Sequence, residues 1–178
     1  MDIAVTTRPV RPEDQALFCR LWPRLSPETV YRRFHAPVRT LPEETVRRLV
    51  TVDHDLREAL VAVVGGDVVG VARYDRPPGN PSTAEIAVLV EDAWQGVGVG
   101  RQLVAELTDL AARRGVRTVT ATVQAGNRPA LGLVHRLLPA STVTPEDDVV
   151  AVSSPLSSAE APAPAAPRSA FLLATATH

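Results

Sequence analysis

The chain has 178 residues, 45% of them apolar and 22% charged, with a formal net charge of −1. This composition suits one domain that buries a core without disulfides, and it gives no overall pull toward nucleic acid or an anionic membrane. All nineteen basic residues are arginines, which excludes a P-loop lysine, a Schiff-base lysine and a lysine general base. No run of eighteen apolar residues occurs and the first residues lack the apolar stretch of a signal peptide, so the expected location is cytoplasmic, with no membrane or nucleic-acid partner.

In chain order, a first strand is expected over roughly 4–10. It leads into RPEDQALFCRLWPRL, where Pro12 fits a first helical turn, acidic Glu13 and Asp14 favour the positive helix end, and Pro23 bends or closes the helix. Cys19 lies in this apolar pattern without a bridging partner and is expected as a buried core thiol. Ser26 followed by Pro27 and Glu28 opens a short helix, PETVYRRF, and PEETVRRLV after Leu41 is a third. From Glu58 the pattern becomes β-branched: EALVAVV, the turn formers Gly65, Gly66 and Asp67, then VVGVARY form a hairpin. After the breakers RPPGNPS, TAEIAVLV is another strand. Its alternation places Glu85, Ala87 and Leu89 on one face and Ile86, Val88 and Val90 on the other.

From Gly98 the period is helical, with Val99, Leu103, Leu107, Leu110 and Ala111 on one stripe, over about seventeen residues closed by Gly115. RTVTATV is the next strand, RPALGLVHRLL a helix entered through Asn127 as its cap, and ASTVTPEDDVVAVSS a final hairpin. The domain is expected to span 1–153. Residues 154–178, rich in Ala, Pro and Ser, form an expected mobile tail.

The segment WQGVGVGRQL, with three glycines on alternate positions ahead of a helix, has the form of an anion-binding turn, because free amides and the positive dipole end converge there. The dinucleotide fingerprint GxGxxG fails, since Arg101 or Leu103 stands where the third glycine belongs, and the P-loop lacks its lysine. The pattern met is QxxGxG, by Gln95, Gly98 and Gly100. With the strand before it, the helix after it, and Asn127, Ala130 and Leu133 spaced as NxxAxxL, roughly residues 4–153 resemble the GNAT superfamily of N-acetyltransferases. Within it, LSPETVYRRF, DHDLREALVAV and GVARY followed by AEIAVLV are most similar to the acetyltransferase domain of bacterial Pat-type protein lysine acetyltransferases. Those proteins often carry a second, regulatory domain; none is expected within these 178 residues.

The resemblance implies an α/β (α+β) GNAT fold, a mixed, mostly antiparallel sheet of six to seven strands flanked by four to five helices. It implies acetyl-CoA as acyl donor and no metal. The pantetheine arm is expected along Val88, Leu89 and Val90, the pyrophosphate on the turn of Gln95, Gly96, Val97, Gly98, Val99, Gly100 and Arg101, and a further contact at Asn127. Glu85 is the implied general base, because a lysine of pKa about 10.4 must lose its proton before attack; the alternative is a solvated strand-end carboxylate. Val134 stands where many members place a tyrosine general acid, which leaves that role unassigned. A thiolate of pKa near 8.5 leaves with little help. His135 is expected to serve surface or packing, and His35 and His54 lack metal-ligand spacing. Tyr31, Arg32, Arg33 and Phe34 either flank the acceptor groove or form a half-buried amphipathic helix. The acceptor is an amine, with a lysine-bearing protein such as an acyl-CoA synthetase implied by the subfamily. A small-molecule amine acceptor and a non-catalytic acyl-CoA-binding module stay open beside it, and the oligomeric state is unassigned.

Overall fold

A computed structural model describes residues 4–156. Among them are β1 (Thr6–Pro9), α1 (Gln15–Leu21), α2 (Pro27–Phe34), α3 (Glu43–Val50), β2 (Arg57–Val64), β3 (Asp67–Asp75), β4 (Thr83–Val90), α4 (Val99–Arg113), β5 (Thr118–Gln124), α5 (Arg128–Leu137), β6 (Thr142–Glu146) and β7 (Val149–Pro155). This is the mixed α/β fold expected, with seven strands and five helices. Asp67 opens β3 rather than belonging to the turn, and α4 has 15 residues instead of seventeen because helical geometry begins only after Gly98 and ends before Gly115. β7 continues past residue 153 to Pro155, and Leu156 rests against the core. The rest of the expected tail lies outside the described residues.

The strands form one sheet in the order β1-β2-β3-β4-β5-β7-β6. Every neighbouring pair is antiparallel except β4 and β5, which pair in parallel through only three residue pairs, Thr83 with Thr118, Ala84 with Val119 and Glu85 with Thr120. Beyond Glu85 the two strands part, while β4 stays bound to β3 as far as Val90 and β5 to β7 as far as Gln124. A parallel pair needs a long crossover, and α4 supplies it.

Strand alternation sorts side chains to two cores. Leu60, Ala62, Ala72, Tyr74, Ala84 and Ile86 face α4, whose Val99, Leu103, Val104, Leu107 and Ala111 are buried against them. Ala59, Val61, Val68 and the partly buried Leu89 face the other way, onto Phe18 and Leu21 of α1 and Val46 and Val50 of α3. Gly70 allows α4 to approach β3: a Cβ there would stand 3.0 Å from Leu103 Cδ1 and 3.2 Å from Val99 Cγ1.

Cys19 is exposed, contrary to the expectation of a core thiol. In α1, Phe18 and Leu21 turn inward, and one residue on from Phe18 the helix has rotated by about 100°. A single apolar residue in a short helix therefore does not report its face.

Two polar clusters hold the frame. Arg8 of β1 grips Asp14 with both ends of its fork, at 2.7 Å each, and Asp14 also accepts from the Arg11 amide at 2.8 Å, fixing β1 to the turn that starts α1. In the second cluster Glu58 is fully buried and accepts from Arg114 Nη1 (2.6 Å) and its neighbour's amide, Ala59 N (2.9 Å), with His54 Nδ1 at 2.8 Å. Arg114 Nη1 also lies 3.2 Å from the hydroxyl of buried Tyr74, which donates to the Asp55 carbonyl at 3.0 Å. The end of α4 is thereby clamped to β2 and β3.

Leu107, with no exposed surface, is expected to cost about 3 kcal/mol when changed to alanine, through lost burial plus the cavity left behind; a denaturant titration measures it. The Arg8 hydrogen bonds hold the Asp14 pKa below its ordinary value, against the opposing effect of burial. A depressed carboxylate pKa contributes stability above the unfolded-chain value near pH 4, and the contribution is lost as pH falls through the lower folded value. Asp14→Asn is therefore expected to lower Tm at pH 7 and to show a smaller deficit against wild type near pH 2.5. An equal deficit at both pH values would contradict this account.

Candidate active site

The parting of β4 from β5 leaves the β5-facing side of β4 without a strand partner from Ile86 to Val90. Unpaired main-chain amides and carbonyls in such a position require either water or a ligand. Two adjoining cavities open on it. A groove of about 560 Å³ is lined by Val88, Leu89, Val90, Gln95, Gly96, Val97, Gly98, Gly100, Arg101 and Asn127, joined by Thr29, Arg32, Arg33, Pro129, Ala130, Leu133 and Arg136. A second cavity of about 390 Å³ holds Glu85, with Arg32, Arg33, Phe34 and His35 of the α2 end, Thr122 of β5, and Val134 and Leu137 of α5. Arg32, Arg33, Val88, Asn127, Ala130 and Leu133 border both.

Of the residues singled out from sequence, eleven line these cavities and one does not. Val99 is 2% exposed and packs in the α4 core, so its side chain is a core element and only its main chain belongs to the turn. Gln95 borders the groove, yet its side-chain amide is already committed: Nε2 donates to Thr29 Oγ1 and to the Val90 carbonyl, each at 3.0 Å. Its motif position is thus a tie between the phosphate turn, the end of β4 and α2. Asn127 caps α5, its Oδ1 accepting from the Ala130 amide at 3.2 Å.

The glycines divide by cause. Gly96 and Gly98 have φ of +75° and +100°, where side chains are strained whatever the space. Gly100 has no such φ, and a Cβ there would meet only Val90 Cγ2 at 3.5 Å, an ordinary contact. Nothing inside the protein demands glycine at 100, whereas a bulky group seated over the turn does. Among the described residues no side chain caps α4, so its first amides are free to receive an anion. This arrangement fits the diphosphate of coenzyme A, with Arg101 and Arg136 at the rim.

α2 is pinned to that turn. Asp92 accepts from the Ser26 amide (2.9 Å), Ser26 Oγ (2.6 Å) and Thr29 Oγ1 (2.9 Å). Burial opposes the Asp92 charge, but donation from Ser26 and Thr29 outweighs it and holds the carboxyl below its usual range. Ser26 in turn caps α2 by accepting from the Thr29 amide at 3.1 Å. The C-terminal end of α2, carrying Arg33, Phe34 and His35, is thereby set beside Glu85.

Glu85 is exposed on the face shared with Ala87 and Leu89, as alternation predicts, and its Cα partners are Asp75 on β3 and Thr120 on β5. Of the segment 31–34, Arg32, Arg33 and Phe34 reach the cavities while Tyr31 does not line either and is 47% exposed. His35 was not singled out as a site residue by the sequence. It caps α2 in the left-handed conformation, φ +53°, and neither apolar period nor motif spacing marks such a position. Val134, at the tyrosine position of the family pattern, lines the Glu85 cavity with an aliphatic wall, and exposed His135 lines neither cavity. Among the described residues no three His, Cys, Asp or Glu side chains gather as a metal site.

The acetyltransferase (GNAT) family model matches residues 18–138. Acetyltransferase PA5475 of Pseudomonas aeruginosa is 32% identical over 128 residues, 70% of this chain and 68% of that protein. Acetyltransferase Pat of Mycolicibacterium smegmatis is 33% identical over 132 residues, 73% of this chain and 39% of that protein, so the chain spans about two-fifths of that relative's length. The crystal structure of the GNAT domain of S. lividans PAT superposes with a TM-score of 0.79 at 30% identity, covering 85% of this chain and 90% of that one. A strand-parting groove, a glycine turn shaped for a diphosphate and this spread of relatives lead to one conclusion: the chain belongs to the GNAT family of acetyltransferases, which use acetyl-CoA as acyl donor.

Proposed function

We propose that the protein transfers the acetyl group of acetyl-CoA to a primary amine, with a lysine side chain of a protein as the acceptor class favoured by its resemblance to Pat-type enzymes, and that it does so in the cytoplasm. The observation that carries the reading is the continuity of the groove over residues 88–101 with the cavity that holds Glu85. In it the amides of the turn after Gly96 and the first turn of α4 seat the diphosphate, and the free side of β4 aligns the pantetheine arm as an added strand would. Bound there, acetyl-CoA supplies a thioester whose C–S bond breaks as the new N–C bond forms.

Glu85 accepts the proton that an acceptor ammonium must lose before its nitrogen can attack. Its exposure keeps it in contact with water, which carries the proton away. The aliphatic wall at Val134 offers no proton to the departing sulfur, so the thiolate leaves unassisted, as its low basicity permits.

Two substitutions separate the parts. Gly98→Val is expected to weaken CoA binding by at least about tenfold in calorimetry, since the left-handed φ is lost and the amides of the turn are misdirected. Glu85→Gln is expected to lower kcat about a hundredfold while CoA affinity stays within about twofold. Undiminished turnover in Glu85→Gln would remove Glu85 from the reaction. Incubating cell extract with the protein and labelled acetyl-CoA, then locating the label by mass spectrometry, tests the acceptor class: label on lysines of proteins supports the reading, and label confined to small amines replaces it.

A further inference from the structure

Arg33 is a half-buried arginine that borders three cavities at once: the cofactor groove, the Glu85 cavity, and a small apolar pocket between α1, α2 and the sheet. Among the described residues its guanidinium makes no hydrogen bond and no ion pair; it lies over the face of Phe34, 5.0 Å from the ring centre. Its donors are taken up by no acceptor among the described residues and stay available, in a cavity wall, to a ligand that displaces the water reaching them. Its neighbours are engaged instead. Arg32 is paired with Glu28, and the Arg73 fork is taken by Asp75, through Nε at 3.0 Å and Nη2 at 3.4 Å. Glu85 and Asp75 act on Arg33 only through space, raising its pKa against the lowering by burial and by Arg73.

The face on which these groups lie matters. Arg73 and Asp75 alternate along β3 with Ala72 and Tyr74, which belong to the α4 core. Arg73 and Asp75 therefore project to the opposite side of the sheet from α4, as Glu85 does. Arg33 reaches them from α2. It thus stands on the acceptor side of β4 while also bordering the groove that carries the glycine turn.

We infer that Arg33 is a specificity-determining residue that receives a carboxylate carried by the acceptor close to its reacting amine. A molecule with an amine facing Glu85 and a carboxylate facing Arg33 matches the paired charges of this corner, and a planar guanidinium binds a carboxylate with two parallel hydrogen bonds. The carboxylate comes either from a free α-amino acid or from an acidic side chain beside a target lysine in a peptide. This inference rests on the reading of Glu85 as the group that faces the acceptor amine.

The test is a calorimetric titration of the protein, with and without saturating CoA, using two matched probe pairs. One pair is L-norleucine and L-norleucinamide. The other is a blocked peptide containing Glu-Lys and its Gln-Lys counterpart. In at least one pair the carboxylate member is expected to bind about tenfold more tightly to wild type. That ratio is expected to fall to about one in Arg33→Gln and to stay partly in Arg33→Lys, which keeps the charge without the fork and guards against an effect of misfolding. Preference in the first pair identifies an amino acid as the source, and preference in the second a lysine with an acidic neighbour. The inference is overturned by equal binding within both pairs, by a preference that survives in Arg33→Gln, or by an Arg33→Gln that weakens CoA binding while leaving both ratios intact. Because the ratios are read as binding and also without CoA, they are independent of turnover, so failure of the acetyl-transfer reading and failure of this one are told apart.

Discussion

Three parallel residue pairs hold the two halves of the sheet together, and the site follows from their ending at Glu85 and Thr120. Had β4 and β5 stayed paired to Val90 and Gln124, the β4 main chain would have no groups left for a ligand, and no cavity would open between α2 and α5. Each strand can afford to part because its other edge remains fully laddered, β4 to β3 and β5 to β7. The unpaired stretch is stable because it is short and flanked by the α4 core, so the cost of its unmet backbone groups is left for water or ligand to offset.

The same parting sets the division of labour. On the α4 side the first turn of a helix with no side-chain cap offers amides and dipole to a diphosphate. On the opposite side Glu85, Asp75, Arg73 and Arg33 form a cluster of balanced charge. The tie from Val90 through Gln95, Thr29 and Asp92 to Ser26 joins these sides, because it fixes α2 relative to the phosphate turn through side chains rather than through the sheet.

Much of this was legible from local pattern. Strand alternation put Glu85 with Ala87 and Leu89, the helical stripe from Val99 to Ala111 marked the buried face of α4, and Ser26 and Asn127 stood where caps occur and do cap. These are readable because they depend on neighbours within four residues. Where a position's role depends on what lies across the fold, the reading went astray or fell silent. Cys19 was assigned to the core from an apolar neighbourhood, but α1 is too short for its period to fix which side is inward. Gln95 is legible only as a motif position and Val99 only as part of a turn of amides; that the Gln95 side chain ties the turn to α2 and the Val99 side chain packs in the core depends on segments far away in the chain. Buried Glu58 was read only as the start of a strand, since its partner Arg114 is 56 residues away.

The sequence by itself determined the kinds and order of elements, the glycine turn before α4 and the acid on β4, because backbone φ preferences, capping and side-chain period act between near neighbours. Only the tertiary structure decided where β4 leaves β5, that α2 is stapled to the phosphate turn, and that Arg33 stands beside Glu85 without a hydrogen-bonding partner among the described residues. Those outcomes depend on contacts between segments far apart in the chain, and on which donors and acceptors have already been satisfied elsewhere.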